Sequence, residues 1–361
     1  MTALRWDQVD EPRPQQTLFD EPIFERRPGL GEYRGLEFLH VRAQRIINEV
    51  KGAPFGFRFT INPYRGCTHA CTYCFARPTH TYLDLDADRD FERRIVVKVN
   101  AVSQTRRELD PRRWRGDLVA MGTNTDPYQR AEGKYRLTRG IVEVLSELAN
   151  PFSILTKSTL ILRDLDLLAR AARRTSVRVN LSVGTLDEDV WRATEPGTPH
   201  PQRRMRAVEQ LNAAGIETGV LIAPVLPGLS DGAEQLEAVT TAAVDAGAAS
   251  ISTVLLHLRP GVRDVYLSRL GETHPHLVPD IRRRYRDRAY APKADQEALA
   301  MQVRDLVRER GGTSAPRRDP EHMTGRAAPP EPARRSAPST VAEASGADAP
   351  AAPTIDQLSL L

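Results

Sequence analysis

From residue 57 onward, short apolar runs rich in β-branched residues alternate with stretches of helical period, and this alternation constrains the fold more than any other feature. FRFTIN, RIVVKVN, DLVAMG, FSILTKS, VRVNLSV, IETGVLIAPVLPG and ASISTVLLHL read as strands. AVSQTRREL, LTRGIVEVLSELA, ILRDLDLLARAARR, PQRRMRAVEQLNAAG and AEQLEAVTTAAVDAG read as helices, the last two closed by a glycine stop. Strands separated by helices pair in parallel through right-handed crossovers. About six βα units fall short of the eight of a closed barrel. The sequence therefore predicts an α/β fold, a partial (β/α)6 TIM-like barrel. Its functional edge is expected at the C-terminal ends of the strands, where the βα loops gather.

Four segments are expected along the chain. Residues 1–51 form a Pro-rich, charged arm with a short amphipathic helix carried by Leu36, Leu39, Ile46 and Ile47. Residues 52–270 form the core. Residues 271–310 form a basic helical extension whose densest run, DIRRRYRDRAY, reads as a solvated helix face. Residues 311–361 are rich in Pro, Ala, Ser and Arg, a composition that predicts disorder.

Composition narrows the setting. Hydrophobic residues make up 40% of the 361, and mean hydropathy is −0.44. No apolar run approaches the roughly 18–20 residues of a membrane span. The opening MTALRWDQVDEPRP lacks the apolar stretch of a secretory signal, so a cytoplasmic location is expected, with no membrane partner. A net charge of +4 permits contact with nucleic acid without requiring it. Of 51 basic residues only Lys51, Lys98, Lys134, Lys157 and Lys293 are lysines, so a lysine at a strand end stands out.

All the cysteines lie in NPYRGCTHACTYCFARPTH, residues 62–80, as Cys67, Cys71 and Cys74 in the spacing C-x3-C-x2-C. Three thiolates so close can reach one soft-metal centre. Two readings follow. A structural zinc site normally has four ligands, and His69 would complete a Cys3His set in a non-catalytic protein. An iron–sulfur cube held by three cysteines instead keeps one iron open to a small molecule.

C-x3-C-x2-C with Tyr73 before the third cysteine, directly after the first strand of a βα series, resembles the radical S-adenosylmethionine (SAM) superfamily. The resemblance implies that Cys67, Cys71 and Cys74 hold a [4Fe–4S] cluster. It implies that the amino and carboxylate groups of SAM chelate the fourth iron, and that one electron cleaves SAM to a 5′-deoxyadenosyl radical. An electron donor such as a flavodoxin or ferredoxin is implied as partner. Tyr73 is implied among the cofactor-binding residues. GTNTDPY, 122–128, stands where members bind the SAM amino group; Thr123, Asn124 and Asp126 offer acceptors, though the usual Gly-Glu pattern is absent. Lys157 in LTKS is placed to pair with the SAM carboxylate. Asn180 or Ser182 is placed to meet ribose or carboxylate, and APVLPGLSD, 223–231, to cover the adenine. The combined run over about residues 37–270 resembles the branch related to spore photoproduct lyase.

That branch's named member is understood to use a further cysteine as hydrogen-atom donor, and this chain has no fourth cysteine. Tyr128 and Tyr135 are the candidate relays, and Asp126 and Glu132 the candidate groups acting on a substrate. Three classes are carried forward: a radical SAM enzyme acting on nucleic acid, one acting on a small molecule or peptide, and the zinc protein. The C-terminal QLSLL resembles the peptide by which bacterial replication and repair enzymes dock on the DNA sliding clamp. Gln357 is its polar anchor, and Leu358, Leu360 and Leu361 fill the pocket. QQTLF, 15–19, has a similar shape.

Overall fold

The structure, a computed structural model, describes residues 23–50, 56–286 and 288–314. Among these the strands in chain order are β1 (Glu25–Pro28), β2 (Glu37–Val41), β3 (Ile47–Glu49), β4 (Phe59–Ile61), β5 (Tyr64–Arg65), β6 (Arg94–Lys98), β7 (Val119–Met121), β8 (Phe152–Thr156), β9 (Val177–Ser182), β10 (Glu217–Val225) and β11 (Ile251–Leu255). The larger sheet runs β11-β10-β9-β8-β7-β4-β3. The pairs from β11 to β4 are parallel, and β3 closes the far edge antiparallel. These six parallel strands are the expected units of the partial barrel. One register row, Ile61, Met121, Ile154, Val179 and Thr218, crosses five of them fully buried. Past this row β4 and β7 end at once, β8 and β9 run on to Thr156 and Ser182, and β10 to Val225; because the strands are parallel, their C-terminal loops share one edge.

The connecting helices follow the apolar period. Helix Leu137–Glu147 buries Leu137, Ile141, Val142, Val144 and Leu145 on one face. Both predicted glycine stops are present. Gly215 and Gly247 take positive φ (78° and 68°) after helices Pro201–Ala213 and Ala233–Asp245. At the first, Gly215 N–H donates to Asn212 and Ile216 N–H to Leu211, which satisfies the last carbonyls in a Schellman arrangement.

Two expectations are corrected. RIVVKVN is a strand, β6, but it lies in a second sheet of order β1-β2-β6-β5. The predicted short helix at 36–47 is also strand: β2 pairs in parallel with β6. Its residues Phe38, Leu39, His40 and Val41 are buried in succession, so both faces are covered. A helix would turn such a run partly outward, whereas a two-sided strand buries all of it. Ile46 and Ile47 lead into β3 at the edge of the larger sheet, with their N–H groups held by the Glu108 carboxylate at 2.7 and 3.0 Å.

Helices Val278–Tyr285 and Lys293–Glu309 follow the last strand. Leu299, Val303 and Val307, four residues apart, pack the second against β11 and helix Ala233–Asp245, within the main core.

Candidate functional site

The cysteine segment leaves β5 at Gly66, whose φ is 80°. A Cβ there would stand 2.8 Å from the His80 ring, so the turn requires glycine. Cys67 and Cys71 are buried, and Cys74 is partly exposed. The segment is shaped by Arg77, which is wholly buried. Its guanidinium donates to the Cys71 carbonyl at 2.9 and 3.1 Å, to the Ala87 and Asp88 carbonyls, and to Glu92 at 2.5 Å.

The loop after β7 grips the same segment. Thr125 Oγ1 and Gln129 Nε2 both donate to the Gly66 carbonyl, and Thr68 N–H donates to Gln129. Gly122 lies against β8, where a Cβ would meet the Leu155 carbonyl at 1.9 Å. Asp126 is consumed by this scaffold. Its oxygens accept from Tyr128 N–H, Thr156 Oγ1 and Lys157 N–H, and His69 Nδ1 stands 3.3 Å away. Burial acts to raise its carboxyl, but His69 and these donors hold it below the ordinary value. Asn62 at the end of β4 donates to Thr123 Oγ1 and accepts from Asn124 N–H.

The residue that sequence reasoning missed is Glu195. It lies in the turn TEPGT after helix Glu188–Thr194 and is buried against the cysteine segment. Thr72 N–H donates to the Thr194 carbonyl and Gly197 N–H to the His69 carbonyl. A Cβ on Gly197 would collide with the Thr68 carbonyl at 2.1 Å. From this turn Glu195 Oε1 accepts from the Tyr73 phenol and faces Lys157 Nζ at 3.0 Å. Its Oε2 accepts from Arg204 at 2.5 Å. Lys157 Nζ also donates to Ser182 Oγ at 2.7 Å and to the Ala223 carbonyl at 3.1 Å. Burial alone would raise the Glu195 carboxyl; Arg204 and Lys157 beside it hold it far below the carboxylate range. The cysteine segment, the end of β8 and helix Pro201–Ala213 thus meet at one carboxylate, and Lys157 links it on to β9 and β10.

Other sequence candidates lie elsewhere. Tyr128 is fully buried in the main core, its phenol pushed well up by burial and by Asp164 and Glu132. Glu132, read as a group near the opening, is fully buried: it accepts from Tyr64 Oη and Arg163 and caps the helix at Thr138 N–H. The Tyr135 hydroxyl meets His40 on the second sheet. Asn180 lies midway along β9, a few residues short of the strand end. Gln357–Leu361 and Gln15–Phe19 fall outside the described residues.

The donor set suits a metal cluster. Burial pushes all three thiols up, Cys71 to about 12; Asp126 adds to the effect at Cys67 and Glu195 at Cys71. Such thiols ionise only beside a strong cation, which is what coordinated iron supplies. Among the described residues no three His, Cys, Asp or Glu side chains converge tightly enough to hold a single ion.

A family profile described as the radical SAM superfamily matches residues 61–238. The chain belongs to that superfamily. Its members use a [4Fe–4S] cluster and SAM, and this radical SAM enzyme is therefore not the zinc protein that His69 would have completed. An uncharacterized protein of Mycobacterium tuberculosis is 43% identical over 277 residues, covering 76% of this chain and 82% of that one. An uncharacterized protein of Methanocaldococcus jannaschii is 31% identical over 196 residues, 54% of this chain and 70% of the relative. Among solved structures, spore photoproduct lyase complexed with dinucleoside spore photoproduct superposes with a TM-score of 0.54. It is 16% identical, with 75% of this chain and 79% of that chain covered. A mutant of that lyase with bound SAM and dinucleoside spore photoproduct also gives 0.54, at 17% identity and 75% and 78% coverage. At such identity the likeness concerns the fold.

Arg77→Ala strips donors from several buried carbonyls and from Glu92. The expected cost is about 3–5 kcal/mol, with less iron bound per chain after reconstitution. Arg77→Lys keeps the charge without the fork and recovers only part of either. Thermal unfolding and iron analysis check both.

Proposed function

We propose that this radical SAM enzyme acts on nucleic acid, with Cys67, Cys71 and Cys74 as the cluster ligands and the polar strand ends around them as the SAM site. The observation that carries the site assignment is the convergence of β7, β8, β9 and β10 loops, together with Glu195, on the cysteine segment. Held by Cys67, Cys71 and Cys74, the cluster would supply one-electron reductive cleavage of SAM, and with it radical chemistry at the substrate.

The chain's own residues orient and enclose. The Asn124 side chain has no hydrogen-bond partner among the described residues and is partly exposed, so it, with Thr123, takes the SAM ammonium. Asp126 supports the loop instead. Lys157 and Ser182, held by Glu195 and Ala223, meet the carboxylate and ribose side. The Tyr73 ring, fixed through its phenol and lying 5.6 Å from Lys157 Nζ, borders the cofactor. All three cysteines are committed, so no thiol of this chain donates a hydrogen atom to product. The reaction is accordingly a lyase-like or other radical transformation that differs from thiol-quenched thymine-dimer repair.

Support for nucleic acid as substrate comes from the fold shared with a lyase solved with a dinucleoside photoproduct, the +4 charge and the clamp-like terminus. A cytoplasmic setting with a flavodoxin or ferredoxin as reductant completes the reading. Leu360→Ala/Leu361→Ala is expected to abolish sliding-clamp capture while leaving iron content unchanged; equal capture removes the tether. The test of substrate class is anaerobic turnover with SAM and reductant. Oligonucleotides are expected to raise 5′-deoxyadenosine output, and stimulation by peptides or small molecules alone would refute the nucleic-acid reading.

A further inference from the structure

The loop leaving the last barrel strand carries chemistry that the cofactor does not use. After β11 the chain runs Leu256-His257-Leu258-Arg259-Pro260-Gly261. This stretch lies at the strand-end edge. A Cβ on Gly261 would stand 3.1 Å from Pro78, four residues past Cys74.

The C-terminal extension is brought onto the same edge. His257 forms an antiparallel bridge with Tyr290, and Leu258 N–H donates to the Ala289 carbonyl at 2.7 Å. Arg263 fastens the incoming backbone, donating to the carbonyls of Tyr285, Arg286 and Arg288 at 2.7–2.8 Å. This anchoring presents Tyr290 with 45% of its surface exposed. Arg259 Nη2 donates to the Tyr290 hydroxyl at 3.0 Å, and the His257 ring stands edge-on to Tyr290 at 5.1 Å. The ring is therefore oriented at its hydroxyl and along one side, while the rest of it faces solvent. Arg259 is exposed and forms no ion pair among the described residues, and neither do Arg282, Arg286 and Arg288. Phe75, directly after Cys74, is a second exposed aromatic, at 44%.

We propose that Arg259 and Tyr290 form a substrate-binding subsite for a single-stranded nucleic-acid segment, Tyr290 stacking on a base and Arg259 taking the adjoining phosphate. A held aromatic ring with an unneutralised guanidinium beside it matches a polyanion whose charge repeats next to flat bases. His257 beside them adds little positive charge, since burial and Arg259 both lower its pKa. The subsite deepens the nucleic-acid reading and rests on it. It places the strand against the cysteine segment, where a radical generated at the cluster would have to reach its target.

The test is fluorescence anisotropy of a labelled single-stranded oligonucleotide with the full-length, cluster-loaded protein. Both side chains are exposed, so the substitutions leave the core untouched. Tyr290→Ala is expected to weaken binding about tenfold, within the range for losing one stacked base, and Tyr290→Phe to stay near the parent. Arg259→Ala is expected to weaken binding and to lower the slope of log affinity against log salt by about 0.7, one phosphate contact on a single strand. If the parent binds while Tyr290→Ala and Arg259→Ala bind equally well, this subsite is wrong and the nucleic-acid reading stands elsewhere on the surface. If the parent itself does not bind, the substrate class and the subsite fall together.

Discussion

Cys71→Ala is expected to leave a protein that stays folded yet emerges colourless from anaerobic reconstitution, with iron far below the roughly four atoms per chain of a [4Fe–4S] centre. Cys71 is buried in the core, and its thiol is pushed up to about 12. As a thiol it contributes packing similar to that of a small apolar group, so its loss costs little stability. As a thiolate it is one of the three proposed ligands, and two ligands would not retain the cluster. The two effects separate cleanly in one sample: thermal unfolding reports the first, and iron analysis with absorbance near the visible iron–sulfur bands reports the second. Parent-like iron in Cys71→Ala would remove this residue from the ligand set.

Glu195→Ala is expected to destabilise the fold by about 3–5 kcal/mol, because it leaves the buried Arg204 and the largely buried Lys157 without their carboxylate. Arg204 is only 1% exposed and also donates to the carbonyls of Ser182 and Pro199. A total stability of about 5–15 kcal/mol makes such a loss severe. Glu195→Gln keeps the shape and one acceptor but not the charge. It is expected to fold less stably and to bind SAM about tenfold more weakly, since Lys157 and Tyr73 lose their common anchor. The pH dependence carries the same signature. Glu195 has a depressed folded pKa, so its contribution is full above the unfolded value of about 4.3 and is lost as pH falls toward the folded value. Glu195→Gln should therefore narrow the stability gap to the parent as the solution is acidified. A gap that stayed constant down to strongly acidic pH would contradict the ion-pair account.

What could be read in the sequence and what could not divides along physical lines. The six parallel strands were legible because each is a short apolar run between helices of clear period, and Gly215 and Gly247 marked the helix ends. The cysteine segment was legible because its chemistry is local, three thiols within eight residues. RIVVKVN looked like a further barrel strand because apolar period does not say which sheet a strand joins. The stretch 36–47 looked helical because two buried faces erase the alternation that marks a half-exposed strand. Glu195 was hidden for another reason: it stands 122 residues from Tyr73, and nothing in TEPGT announces a partner so distant. Asp126 and Asn124 were equivalent as acceptors on paper. Only the fold shows that Thr156, Lys157 and His69 surround the first while the second has no side-chain partner among the described residues.

The most direct test of the central claim is 5′-deoxyadenosine formed from SAM by the anaerobically reconstituted protein with a chemical reductant. The account predicts product that depends on both iron and reductant in the parent and is absent in Cys71→Ala. Equal SAM cleavage by parent and Cys71→Ala, or none by a parent carrying a full cluster and bound SAM, would contradict it.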